Sequence, residues 1–76
     1  MTGDAESLTK MKLMIEAMID QIKHIAVSVT DIRDVNIYTD LADFVHQCGV
    51  VEGLLQAMKD ELNMRIEYLE ANGDNG

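Results

Sequence analysis

The sequence contains no proline and no tryptophan, and it has only one cysteine, one phenylalanine and two tyrosines. Nothing in it interrupts a long helix, and the scarcity of aromatic residues disfavours a β-sandwich. A single cysteine excludes an internal disulfide and indicates a reducing compartment. The simplest role for Cys48 is that of a small buried apolar side chain, with a reactive thiol as the alternative.

Long hydrophobic runs are also missing. No apolar stretch approaches the roughly 18 residues of a membrane span. The first residues are polar and acidic, with Asp4 and Glu6, whereas a secretory signal starts basic and continues apolar. We therefore expect a soluble protein in the cytoplasm that does not contact membranes. At 76 residues and 47% hydrophobic content, it should form one folded domain.

Positive charge is scarce, and the net charge is −8. Residues 1–38 hold six acids and four bases, net −2, and residues 39–76 hold eight acids and two bases, net −6. Such a chain repels phosphate backbones, so direct nucleic-acid binding is disfavoured. The charge either keeps the protein soluble or attracts a basic partner.

An apolar heptad pattern dominates the first half of the chain. Apolar residues return at gaps of three and four, which predicts an amphipathic helix over about residues 5–33. The predicted seam is Leu8, Met11, Ile15, Met18, Ile22, Ile25, Val29 and Ile32. The β-branched residues between His24 and Tyr38 leave a short β-hairpin open as an alternative.

The second half repeats the pattern. A turn over about residues 34–38 is followed by a predicted helix over about 39–72, which Asn72 and Gly73 would end. Its predicted seam is Leu41, Phe44, Cys48, Val51, Leu55, Met58, Leu62 and Leu69, with Arg65 interrupting it.

Two such helices joined by a short turn predict an all-α fold, an antiparallel two-helix hairpin. Apolar side chains beside the seams should stay exposed in a single hairpin: Leu13, Met14, Ile19, Val50 and Leu54. Pairing two hairpins into a dimeric four-helix bundle would bury them, and so would docking on another protein. Partners are therefore expected to be a second copy and an unidentified larger protein.

The predicted function is that of a non-enzymatic interaction or assembly protein. Methionine provides an adaptable apolar surface, and glycines one helical turn apart permit close approach of another helix, unless they merely weaken the helix locally. The predicted contact residues are Met11, Met14, Met18, Gly49, Val50, Gly53, Leu54 and Met58.

The stretch from His46 to Ala57, HQCGVVEGLLQA, resembles the second helix of small bacteriophage-type helical proteins, in which a glycine pair precedes a leucine and a charged amphipathic run. The resemblance covers about a dozen residues. It implies a small accessory protein encoded by a phage or mobile element, located in the host cytoplasm or the virion. It transfers no functional residue.

Two other functions remain open. An acidic inhibitor could mimic nucleic acid on a basic protein, using Asp60, Glu61, Glu67 and Glu70. A metal protein could use His24 with Asp20 and His46 with Asp43, although the heptad places these four outward. No nucleophile with a nearby base and no phosphate-binding loop is recognisable, so we expect neither catalysis nor a cofactor.

Overall fold

The computed structural model describes residues 2–72. Within that range it is all-α, with no β-strand. The elements are α1 (Thr2–Ser28), a 3-10 turn (Val29–Asp31), α2 (Val35–Asp40) and α3 (Ala42–Ala71). The β-hairpin alternative around residues 24–38 is therefore wrong, and Gly73 lies outside the described residues.

Near the end of α1, two hydroxyl side chains donate hydrogen bonds to backbone carbonyls of the helix. Ser28 Oγ donates to the carbonyl of His24 at 2.8 Å, and Thr30 Oγ1 donates to that of Val27 at 2.6 Å. The chain tightens into one 3-10 turn and then becomes extended at Ile32, whose φ and ψ are −74° and 129°. The α-helix therefore ends at Ser28, about five residues before the predicted end, and it begins earlier than predicted, at Thr2.

Where a turn over 34–38 was expected, most of the segment is the short helix α2. Asp34 explains this, because its carboxylate accepts hydrogen bonds from the backbone N–H groups of Asn36 at 2.9 Å and Ile37 at 3.4 Å. This is the N-cap arrangement that starts a helix. Leu41, with φ −90° and ψ 7°, separates α2 from α3, which consequently begins at Ala42 instead of near residue 39.

Helix α3 ends at Asn72. Both its backbone N–H and its side-chain amide donate to the carbonyl of Tyr68, at 3.0 and 2.7 Å. The backbone of Asn72 itself has φ −93° and ψ 10°, outside the left-handed region.

Helices α1 and α3 pack side by side and run in opposite directions. Lys59 contacts Glu16, and Lys23 contacts Glu52, so residues further along α1 meet residues earlier in α3. The molecule measures 59 × 14 × 11 Å. Such a slender pair has a thin core, and among the residues whose side chains are described none is less than 2% exposed.

The inner seam is the line of buried or half-buried residues that follows a three–four spacing along the helix pair. It consists of Leu8, Lys12, Ile15, Ile19, Ile22 and Ala26 of α1, Val29 of the 3-10 turn, and Cys48, Glu52, Leu55, Lys59, Leu62, Ile66 and Leu69 of α3.

Each predicted seam combined two columns, in which residues are spaced by seven. On each helix only one of these columns lies in the inner seam. Ile19, expected to stay exposed, is 6% exposed and packs with Ile15 and Leu55. Met11 and Met18, expected in the seam, are about half exposed. Compared with the prediction, both helices are rotated about their own axes. Long charged residues such as Glu52 and Lys59 can occupy the seam, because their aliphatic stems pack there while their charged ends form ion pairs with the other helix.

Candidate partner-binding face

The rotation of the two helices leaves an apolar surface uncovered on one side of the pair. We call it the methionine face. Its six side chains are each between 40% and 53% exposed. They are Met11, Met18 and Ile25 of α1, and Phe44, Val51 and Met58 of α3.

Shallow clefts show that these columns of the two helices lie beside each other. One cleft is lined by Met18, Ile25 and Val51, among others. A second is lined by Met11 and Met58. The methionine face is therefore a continuous strip shared by α1 and α3, not two separate patches.

The opposite side of the pair is polar. Its cleft is lined by Glu16, Asp20, Lys23, Gln56 and Lys59, around the edge of Ile19. Two ion pairs cross between the helices on this side, Glu16 with Lys59 at 3.4 Å and Lys23 with Glu52 at 3.8 Å. The helix pair therefore has one apolar and one ion-paired side.

The structure brings most of the predicted contact residues together. Met11, Met18 and Met58 belong to the methionine face. Met14 and Leu54, 60% and 61% exposed, each lie four residues from a member and flank it at about 40° around the helix. Val50 lies about 80° from Met58 around α3, beyond Leu54.

The predicted glycines do not belong to this surface. Successive helical residues are about 100° apart, so Gly49, nine residues before Met58, points in the opposite direction. Gly53 lies about 140° away. Neither glycine would have a heavy atom within 4 Å of an added Cβ. Within the chain they do not serve close packing.

A separate apolar stripe runs along the outer surface of α3. Val50, Ala57 and Met64 are exposed and spaced by seven residues, so they share one line. Met64 is 65% exposed and lies about 120° from Met58 around the helix. The predicted contact residues included Val50 but not Met64, which the seven-residue spacing places on the same line.

The acids of the alternative function are divided between two sides. All four are exposed. Glu61 lies about 60° from Met58, next to the methionine face, whereas Asp60, Glu67 and Glu70 lie 120° or more away from Met58. Three acids therefore form an exposed group near the C-terminal end of α3.

The histidines predicted for the metal alternative are exposed, as are Asp20 and Asp43. Among residues 2–72 no three side chains of histidine, cysteine, aspartate or glutamate are placed to hold a metal ion together. In the same range, no helix combines the length and apolar character needed to cross a membrane.

Comparison with known proteins adds no relative, since no family model, curated protein or solved structure matches the chain.

Proposed function

We propose that the protein is a non-enzymatic helical assembly module that pairs with a second copy through the methionine face. The antiparallel pair of α1 and α3 would form half of a dimeric four-helix bundle. The observation that supports this most directly is the continuous, half-exposed apolar strip on one side of the pair, opposite an ion-paired side. Burying the rest of each side chain would contribute about 1 kcal/mol.

The thin core gives a second reason to propose a dimer. A chain of this size is marginally stable alone, and a second layer of helices would provide a central core.

Docking on a larger protein is the other part of the proposal, and the outer stripe of α3 supports it. Val50, Ala57 and Met64 would stay exposed in the dimer because they lie away from the methionine face. A partner with an apolar groove would suit this stripe. A small accessory protein of phage or mobile-element type could work in this way.

The test is sedimentation equilibrium of Met18→Asp and a matched control, Met64→Asp. Both variants place the same charge on an exposed methionine in a long helix, but only Met18 lies on the proposed interface. Wild type and Met64→Asp should sediment as dimers, and Met18→Asp as a folded monomer. A monomeric wild type, or an unaffected Met18→Asp dimer, would refute the proposed interface.

The acidic-inhibitor function remains a second candidate because Asp60, Glu67 and Glu70 are exposed on one side of α3. Binding that depends on these charges should weaken strongly with salt. A polycationic column at rising ionic strength distinguishes the two candidates, with Asp60→Asn/Glu67→Gln as the informative variant. Elution of this variant together with wild type would argue against the inhibitor.

A further inference from the structure

Thioether side chains are concentrated at the methionine face. Three of the five methionines that the structure describes are members of the face, and Met14 flanks it. Of these five, Met64 alone lies elsewhere, on the outer stripe of α3. The other members of the face are Ile25, Phe44 and Val51, which contain no sulfur. The proposed interface is therefore also the surface on which most of the described thioethers lie.

The three thioethers of the face are neighbours. Met11 and Met58 line one cleft. The two ion pairs between the helices both join residues whose numbers add to 75, so such residues lie at about one level along the pair. Met18 and Met58, whose numbers add to 76, therefore lie side by side in adjoining columns. Met58 consequently joins Met11 and Met18 into one cluster.

The cluster is open to water in a single hairpin and would be covered in the proposed dimer. Met11, Met18 and Met58 are 44%, 53% and 49% exposed. A small oxidant in solution can therefore reach each of these side chains whenever the two copies are apart. Methionine is, with cysteine, a side chain that such oxidants modify, and its first product is the sulfoxide.

We propose that Met11, Met18 and Met58 form a modification site at which hydrogen peroxide converts the thioethers to sulfoxides, and that this oxidation separates the two copies. The inference rests on the proposed self-association. Each sulfur donates an electron pair to one peroxide oxygen, so an S–O bond forms as the O–O bond breaks. The other oxygen takes up the proton of the first and leaves as water. The sulfur is oxidised by two electrons and the peroxide is reduced.

The sulfoxide is poorly suited to the interface. Its oxygen accepts hydrogen bonds, but none of the six members of the face carries a donor. Gln21 and Arg65 border the clefts of these methionines, but both are exposed, so they would have to give up water to reach the sulfoxide. Burying an unpaired polar group is unfavourable, and a two-fold dimer contains each modified position twice. Oxidation therefore favours the separated copies, in which water hydrates the sulfoxide.

Sedimentation with and without hydrogen peroxide tests the site. Oxidised wild type should become a folded monomer, with its dissociation constant raised about a hundredfold or more and its helical circular dichroism unchanged. The face variant, Met11→Leu/Met18→Leu/Met58→Leu, keeps the apolar volume without a thioether and should stay dimeric in peroxide. The matched control, Met14→Leu/Met64→Leu, should dissociate as wild type does. Methionine sulfoxide reductases should restore the wild-type dimer.

Oxidation rates in wild type give a second measurement, which does not require the face variant to fold. Peptide mapping by mass spectrometry should show that Met18 and Met58 oxidise more slowly as protein concentration rises, because a larger fraction is paired. Met64 lies outside the proposed interface and should oxidise at one rate throughout. Rates at Met18 and Met58 that do not change with concentration would overturn the inference.

Two further outcomes would overturn the inference and leave self-association standing. One is a wild-type dimer that persists after mapping shows all three face methionines fully oxidised. The other is a face variant that dissociates in peroxide as readily as wild type, which would place the sensitive group elsewhere, for example at Cys48. A wild-type chain that sediments as a monomer before any oxidation overturns both the inference and the proposed function.

Discussion

Lys59 Nζ lies 3.4 Å from Glu16 Oε2, joining the middle of α3 to the middle of α1. Lys23 and Glu52 repeat this contact at 3.8 Å, seven residues along each helix. Both pairs lie on the polar side of the helix pair. Because the helices run in opposite directions, the two contacts fix one register between them.

Neutralising Lys59 tests what this contact contributes. Lys59→Gln should lower the free energy of unfolding by up to about 1 kcal/mol, since its side chain is only 24% exposed but its partner Glu16 is partly solvated. Lys10→Gln, which breaks the exposed contact with Glu6, is the control and should change stability less. Urea unfolding at low and high salt measures both. Equal losses would mean that the cross-helix pair has no special role.

Truncating Ile19 tests the position of the inner seam. Ile19→Ala should cost roughly 2–5 kcal/mol, because it leaves a cavity beside Ile15 and Leu55. The control is Leu13→Ala, at a position that is 56% exposed, and it should cost well under 1 kcal/mol. Thermal unfolding followed by circular dichroism gives the comparison. A costly Leu13→Ala with a silent Ile19→Ala would place the seam on a different face.

Substituting the glycine pair distinguishes its two interpretations, which are local weakening of α3 and close approach of another helix. Space is open around both positions, so Gly49→Ala and Gly53→Ala should each stabilise α3 by about 1 kcal/mol through helix propensity. The sedimentation mass should not change. If either alanine instead weakens self-association, another helix approaches closely at the glycines, and the interface includes this side of α3.

Removing the cap of α2 should loosen the connection between the long helices. Asp34→Ala eliminates acceptors for the N–H groups of Asn36 and Ile37 and should cost about 1 kcal/mol. Asp34→Asn, which retains an acceptor oxygen, is the control. Amide hydrogen exchange at Asn36 and Ile37 should speed up in the alanine variant only. Unchanged exchange would show that α2 does not depend on its cap.

Sequence periodicity predicted the helical class and one seam column on each helix, including Ile15 and Leu55. It could not choose the second column. On α3, apolar character favoured Met58 over the column that contains Lys59. The stems of Glu52 and Lys59 line the seam while their charged ends form ion pairs with α1. Such a preference depends on the neighbouring helix and is not visible in one helix at a time.

The placement of the candidate site shows the same limit. Met11, Met18 and Met58 were expected to contact a partner, and the structure places them on one exposed surface. Gly49 was assigned to the same contact, but it points away from Met58. Sequence spacing gives the direction of each side chain around its own helix. Which of these side chains stay exposed depends on how α1 packs on α3.

Cys48 lies in the inner seam and is 5% exposed. A thiol reagent can reach it only when α1 and α3 separate, so its labelling rate reports how often the helices open, without an engineered cysteine. If pairing of two copies holds the helices together, that rate should fall as protein concentration rises. The labelling rate would then show how pairing affects the separation of α1 and α3, which a measurement of mass does not report.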